Sequence, residues 1–196
     1  YALEERPLYM SSIAVGDYPL DHHRKKNPAP KQIDFPSIPS YSVPYGALIP
    51  EKVNGLIVAE KSISVSNVAN GTTRLQPVVL QIGQAAGAAA VLSVESGVSA
   101  ALLDVRSLQD FLLESRLILM PYMDATQDYW AFLSIQKVGL SGLMRGDGIP
   151  VAWANETRFY PESVVGKMDL FEILSRSDQM STEQINQALS TVGSSG

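Results

Sequence analysis

The chain has no cysteine. That excludes disulfides, thiolate metal sites and cysteine nucleophiles. It has two histidines, His22 and His23. Adjacent side chains point different ways and no third imidazole exists to complete a set, so no metal site is expected. No apolar run reaches the roughly 18 residues of a membrane span. The longest is interrupted by Gln81, Gln84 and Ser93, so the chain is not expected to be transmembrane. No block of like charge is long enough to be an interaction tail. The formal net charge of -5 argues against nucleic acid as a partner. Arg24, Lys25 and Lys26 form the one basic cluster, short enough to be solvated surface. No signal peptide is read, and the first residue is Tyr1. A piece of a longer polypeptide is therefore expected, with localisation left open and the periplasm or secretion among the choices.

What is present centres on Gly71 to Gly97. Pro77 suits the first position of a helix, where a missing N–H costs nothing. Gly97 suits the left-handed stop after the last turn. Between them Gly83, Gly87 and Ala90 fall on one face, and Ala85, Ala86, Ala88 and Ala89 add little bulk. A glycine inside a helix costs ~1 kcal/mol relative to alanine. Two of them four apart imply close approach to the backbone, either by a tightly packed helix or sheet or by a flat or charged ligand. A ligand would meet the N-terminal N–H groups and the positive end of the dipole. Arg74 adds a fixed charge just before that end.

Ahead of this helix, Ser11 to Val15 reads as a short strand and Gly16-Asp17-Tyr18-Pro19 as a turn. Asp21, His22 and His23 follow. A carboxylate can orient an imidazole and set its tautomer, which makes an acid–base pair. A polar surface loop has the same composition. Six prolines between Pro28 and Pro50 exclude helix there. Tyr41, Val43 and Tyr45 alternate as in an edge strand, and the two tyrosines either line a pocket or cover apolar surface. Leu56 to Ala59 reads as a buried strand, Ile63 and Val65 continue with a period of two, and Asn67 to Thr73 reads as a polar loop.

Five pieces occur in fixed order: Tyr45-Gly46-Ala47-Leu48-Ile49-Pro50, Val53 to Lys61, Ser62 to Ser66, Thr73-Arg74-Leu75-Gln76-Pro77, and Gly83-Gln84-Ala85-Ala86-Gly87-Ala88-Ala89-Ala90. Together they resemble the C-terminal part of FAD-dependent oxidoreductases related to fumarate reductase, in the branch often labelled xanthan lyase. The resemblance covers residues 11 to 95. It implies that the helix N-terminus faces the pyrimidine edge of the flavin. It puts Arg74, Pro77, Gly83, Gln84, Ala85 and Ala86 near the cofactor, FAD. It implies that Leu56 to Ala59 is the last strand of the nucleotide-binding sheet. Asp21 and His23 match the spacing of that family's Asp-x-His element, on the substrate side of the ring. One position departs: the family usually has glycine where this chain has Glu60, and a carboxylate there would repel the FAD phosphates. The family holds FAD chiefly with a Gly-x-Gly-x-x-Gly turn between a strand and a helix. No such turn occurs here, so FAD is expected to need an upstream part of the same polypeptide.

After Gly97 the composition changes. Ser107 reads as a helix cap supported by Asp110, with Leu108, Phe111, Leu112 and Leu113 as the apolar stripe. Asp124, Tyr129-Trp130-Ala131, Gly139, Gly142, Phe159-Tyr160-Pro161 and Val165 to Leu170 are similar to one surface-layer-homology repeat. The threonine of its motif is lost, and wall-polymer binding in that family uses several repeats, so a purely structural helical cap remains the alternative. Trp130 and Trp153 read as buried or half-buried anchors, with stacking on sugars the other use. Ser181-Thr182-Glu183-Gln184 is a capping box.

The expected fold is an α+β fragment. Short strands and a long Gly/Ala-rich helix complete an FAD-binding domain over 1–103, and a small helical unit follows over 104–196. The expected function is part of a flavin-dependent oxidoreductase acting on a small-molecule or sugar substrate and inactive alone. The alternatives are a polysaccharide lyase recruiting Tyr18, His22 and Arg24, and a non-catalytic module binding glycan or cell envelope.

Overall fold

The computed structural model of the chain describes residues 8–21, 38–149, 151, 156–177 and 180–191. Among them are six α-helices and two two-stranded antiparallel sheets, an α+β architecture. Strand β1 (Ser12–Gly16) pairs with β2 (Tyr41–Pro44), Ala14 opposite Val43 and Gly16 opposite Tyr41. The register shifts between Ser12 and Ala14, and Ser12, Ile13 and Ala14 are all buried. Tyr41 and Tyr45 are core residues rather than pocket walls. The Tyr45 hydroxyl donates to Ala100 O at 2.8 Å, which satisfies the polar end of a buried ring.

Two expectations between these strands and the long helix are corrected. Leu56 to Ala59 is not a strand: Leu56 is exposed and the next three residues are half-buried. Val58 N–H donates to Leu48 O at 2.8 Å, but no second strand lies beside the segment among the described residues. A strand needs a ladder partner to satisfy its backbone, and none is supplied. Asn67 to Thr73 is not a loop but helix α1 (Asn67–Thr73), capped by Ser66, whose Oγ accepts from Ala69 N–H at 3.1 Å. Its polarity misled because its threonines face inward with their hydroxyls bonded: Thr72 Oγ1 donates to Tyr18 O at 2.5 Å.

Helix α2 (Gln76–Ser96) has its proline in the first turn and ends at Gly97, whose φ of 67° is the left-handed cap the sequence predicts. Val78, Ile82, Ala85 and Ala89 form its buried face, turned onto β1 and onto α3 (Val105–Glu114). Burying each Val or Ile side chain contributes about 1.5–3 kcal/mol. The approach to β1 is close at Gly16: a Cβ there would run into the Tyr41 hydroxyl and lie 2.9 Å from Val78 Cγ2. By length and composition α2 would also serve to cross a membrane, at a mean hydropathy of 1.5.

The cap of α3 is Asp104, not Ser107. Its carboxylate accepts from Ser107 N–H at 2.9 Å and Arg106 N–H at 3.3 Å, and the Ser107 hydroxyl itself donates into it at 2.8 Å. An ionised acceptor at this end also meets the positive dipole, which a hydroxyl does not. These hydrogen bonds hold the Asp104 carboxyl below the usual carboxylate range. Leu108, Leu112 and Leu113 are buried, and Phe111 is turned outward.

Helix α4 (Phe132–Ser141) follows, then strands β3 (Asp147–Ile149) and β4 (Glu156–Arg158), then α5 (Lys167–Ser175) and α6 (Thr182–Thr191). The expected anchor Trp130 is 88% exposed, while Phe132 is buried at the start of α4. Trp153 lies outside the described residues. The capping box of α6 forms as read, with Ser181 N–H donating to Gln184 Oε1 at 2.8 Å and Gln184 N–H to Ser181 Oγ at 3.3 Å. Ile185 and Leu189 are its buried side chains. One contiguous core joins Ile13, Val43, Leu48, Ile82, Leu108, Leu113, Met120 and Leu140, so α3 and α4 share it with β1 and α2.

Candidate functional site

The end of β1, the segment Asp17 to Asp21, the last turn of α1 and the first turn of α2 converge at one place. Leu75 is the N-cap of α2 and offers no side-chain cap. The N–H groups of Gln76 and Val78 have no acceptor within the helix, and Pro77 has no N–H. The positive end of a 21-residue helix therefore opens here. Arg74 ends α1 and turns back to Asp21: its Nη2 donates to Asp21 O at 3.3 Å and lies 3.7 Å from Asp21 Oδ2. Both side chains are about one-third exposed, so this pair contributes at most about 1 kcal/mol to stability. The resemblance implies that Asp21 lies on the substrate side and Arg74 near the cofactor; the fold puts the two in contact.

Beside the helix end lies a cavity of about 230 Å³ whose lining includes Val15, Asp17, Tyr18, Leu75, Pro77 and Gln81. That is smaller than the roughly 300 Å³ of an ordinary small-molecule pocket, and suits one edge of a ring. Tyr41 stands behind the wall, its hydroxyl sharing a 2.8 Å hydrogen bond with Thr72 Oγ1. Burial pushes its pKa up to about 12, opposed by the hydrogen bond shared with Thr72 and reinforced by the negative charge of Asp17. It therefore stays a neutral hydrogen-bonding group throughout the physiological range.

The other residues singled out from the sequence separate into two groups. Pro77 is exposed at the cavity mouth. Gly83 and Gln84 lie exposed on the outer face of α2, and among the described residues no atom beyond the neighbouring helix backbone comes within 4 Å of a Cβ built at Gly83 or Gly87. Ala86 is half-buried, and Ala85 is 0% exposed, with its methyl group inside the core. Nine residues of helix separate Pro77 from Ala86, about 14 Å at ~1.5 Å per residue. The six cofactor candidates thus do not gather round one point. His23 lies outside the described residues, as do His22 and Arg24. Among the described residues no group of three or more His, Asp or Glu could hold a metal ion.

The donor set fits one part of FAD. Uncapped N–H groups at a positive helix end suit the pyrimidine edge of a flavin, which carries negative charge when reduced. The described residues contain no glycine-rich phosphate turn for the other half of the molecule.

Sequence reasoning missed Gln81. Its Oε1 accepts from Val15 N–H at 3.0 Å, and its Nε2 donates to Val15 O at 3.1 Å and Pro77 O at 3.1 Å. The available signal was a glutamine on the inner side of an otherwise small and apolar helix, one turn after its proline.

A family model described as FAD dependent oxidoreductase matches residues 3–112, more than half of the chain. No curated protein and no solved structure matches it.

Proposed function

The chain belongs to the FAD dependent oxidoreductases, and from that premise we propose that it supplies the flavin-facing helix end and part of the substrate side of a flavin-dependent oxidoreductase. The observation that carries this is the uncapped start of α2 beside a cavity, with Asp21 held by Arg74, the residue just before the N-cap of that helix. A bound flavin would supply the hydride acceptor for the substrate. The N–H groups of Gln76 and Val78 would stabilise negative charge on that acceptor. The Arg74 guanidinium holds Asp21, and His23, with Asp21, would take the proton that the substrate releases.

An upstream part of the same polypeptide completes the FAD site in this reading. Two surfaces support it. The outer face of α2 presents Leu80 (69% exposed) and Val94 (82% exposed) around the bare backbone at Gly83 and Gly87. The apolar segment Leu56 to Ala59 has no ladder partner among the described residues. Both suit coverage by a sheet carrying the phosphate turn. The substrate is a small molecule or a sugar. The full-length protein should show a flavin absorbance band, while residues 1–196 alone should bind no flavin and catalyse nothing. A colourless full-length protein that FAD cannot reconstitute would refute the reading.

A second reading, glycan binding by residues 104–196, has the exposed Trp130 behind it, with its ring 5.9 Å from that of Tyr129. Retention of the chain on peptidoglycan, abolished by Trp130→Ala, would carry it; equal elution of both would end it. For the polysaccharide lyase, Tyr18 is the one described member of its residue set, and nothing in the geometry around it favours that chemistry.

A further inference from the structure

Gln81 makes an unusual set of contacts for a helix residue. Val15 sits opposite Ser42 in the β1–β2 ladder. Its N–H and C=O are both taken by the Gln81 side-chain amide, at 3.0 and 3.1 Å. The amide thus stands where the backbone of a third strand would stand, and satisfies the outer edge of β1 at that point. Its Nε2 also donates to Pro77 O at 3.1 Å, in the first turn of the same helix. One side chain therefore ties the opening turn of α2 to the last residues of β1. From there the chain runs directly through Asp17 and Tyr18 to Asp21. The other end of this span is tied by Thr72 Oγ1 to Tyr18 O at 2.5 Å and by Arg74 to Asp21.

We propose that Gln81 is a positioning residue for the flavin, setting the separation between the helix end that faces the ring and the segment that carries Asp21. The proposal rests on the flavoprotein reading. The amide does not touch the ring; it acts through Val15 and Pro77. Its effect differs from simple stabilisation because both groups it connects line the same cavity. A clamp of similar chemistry provides the contrast: Gln109 Nε2 donates to Met10 O at 2.9 Å and Ser12 O at 3.0 Å, at the far end of β1.

The test compares Gln81→Leu and Gln81→Glu with Gln109→Leu in the full-length flavoprotein. The readouts are hydrogen exchange at the Val15 amide, melting temperature, the visible flavin spectrum and the dissociation constant for FAD. Gln81→Leu should lower protection at Val15 about tenfold, shift the flavin spectrum, and weaken FAD binding about tenfold. Gln81→Glu keeps an acceptor for Val15 N–H, so protection there should persist, while lost donation to Val15 O and Pro77 O should still shift the spectrum. Gln109→Leu, at a matched loss in melting temperature, should leave spectrum and FAD affinity unchanged. An unaltered spectrum and affinity in both Gln81 variants overturns the proposal, and so does an equal change in Gln109→Leu. If Gln81→Leu fails to fold, Gln81→Glu decides on the same readouts. A wild-type protein that binds no flavin would sink the flavoprotein reading itself, a separate result from flavin-bound protein indifferent to Gln81.

Discussion

Glu60 has a φ of 62°, in the left-handed region. For a residue with a Cβ that conformation costs about 1–2 kcal/mol. The family it resembles usually has glycine at this position, and the backbone gives the reason: glycine adopts positive φ freely. Clearance for a phosphate is not needed to explain the preference. The Glu60 carboxylate is exposed and lies 3.5 Å from Lys61 Nζ, an exposed pair worth little. Glu60→Gly should therefore stabilise the chain by about 0.5–1 kcal/mol after the entropy glycine adds to the unfolded state. Urea denaturation would show this as a raised midpoint with unchanged slope; an unchanged or lowered midpoint would refute it.

At the scale of the element, α2 has two unlike faces. The inner one is closed by Val78, Ile82, Ala85 and Ala89. The outer one is open, with no other described residue packed on Gly83 or Gly87. A glycine in an exposed helix interior has no local merit, so Gly83→Ala and Gly87→Ala should each stabilise the isolated chain by about 0.8–1 kcal/mol. The tight packing that the small residues imply is not provided by any described residue. Similar reasoning separates the helix ends. Gly97 and the Ser181 to Gln184 box act through their own neighbours and were legible. The α3 cap differs: Ser107 is a good cap by residue type, but its hydroxyl is engaged by the Asp104 carboxylate three residues earlier, which does the capping.

For the whole molecule, the same two substitutions change sign if the flavoprotein reading holds. In the full-length polypeptide a methyl group at Gly83 or Gly87 would enter a surface meant for close approach. Overpacking of that kind typically costs about 1–3 kcal/mol. Melting of the full-length protein should therefore fall where that of the isolated chain rises. A gain in both would remove close approach as the reason for the glycines. The core itself does not depend on that partner: it runs from β1 and β2 through α2 to α3 and α4, with Ile82, Leu108, Leu112 and Leu113 at its centre.

The sequence by itself determined what depends on local chemistry. The long helix, its proline start, its glycine stop, the two short strands and the α6 cap follow from residues within a few positions of one another. The order of five short pieces carried the family. Tertiary structure alone decided what depends on distant partners. Whether Leu56 to Ala59 becomes a strand depends on a neighbour to pair with, and the burial of Thr72 and Thr73 at the end of α1 depends on acceptors for their hydroxyls. Trp130 faces outward while Phe132, two residues on, is buried. The contact of Arg74 with Asp21 spans 53 positions and that of Gln81 with Val15 spans 66. Periodicity and capping rules reach only one turn of helix, so these pairings exist only once the chain has folded back on itself.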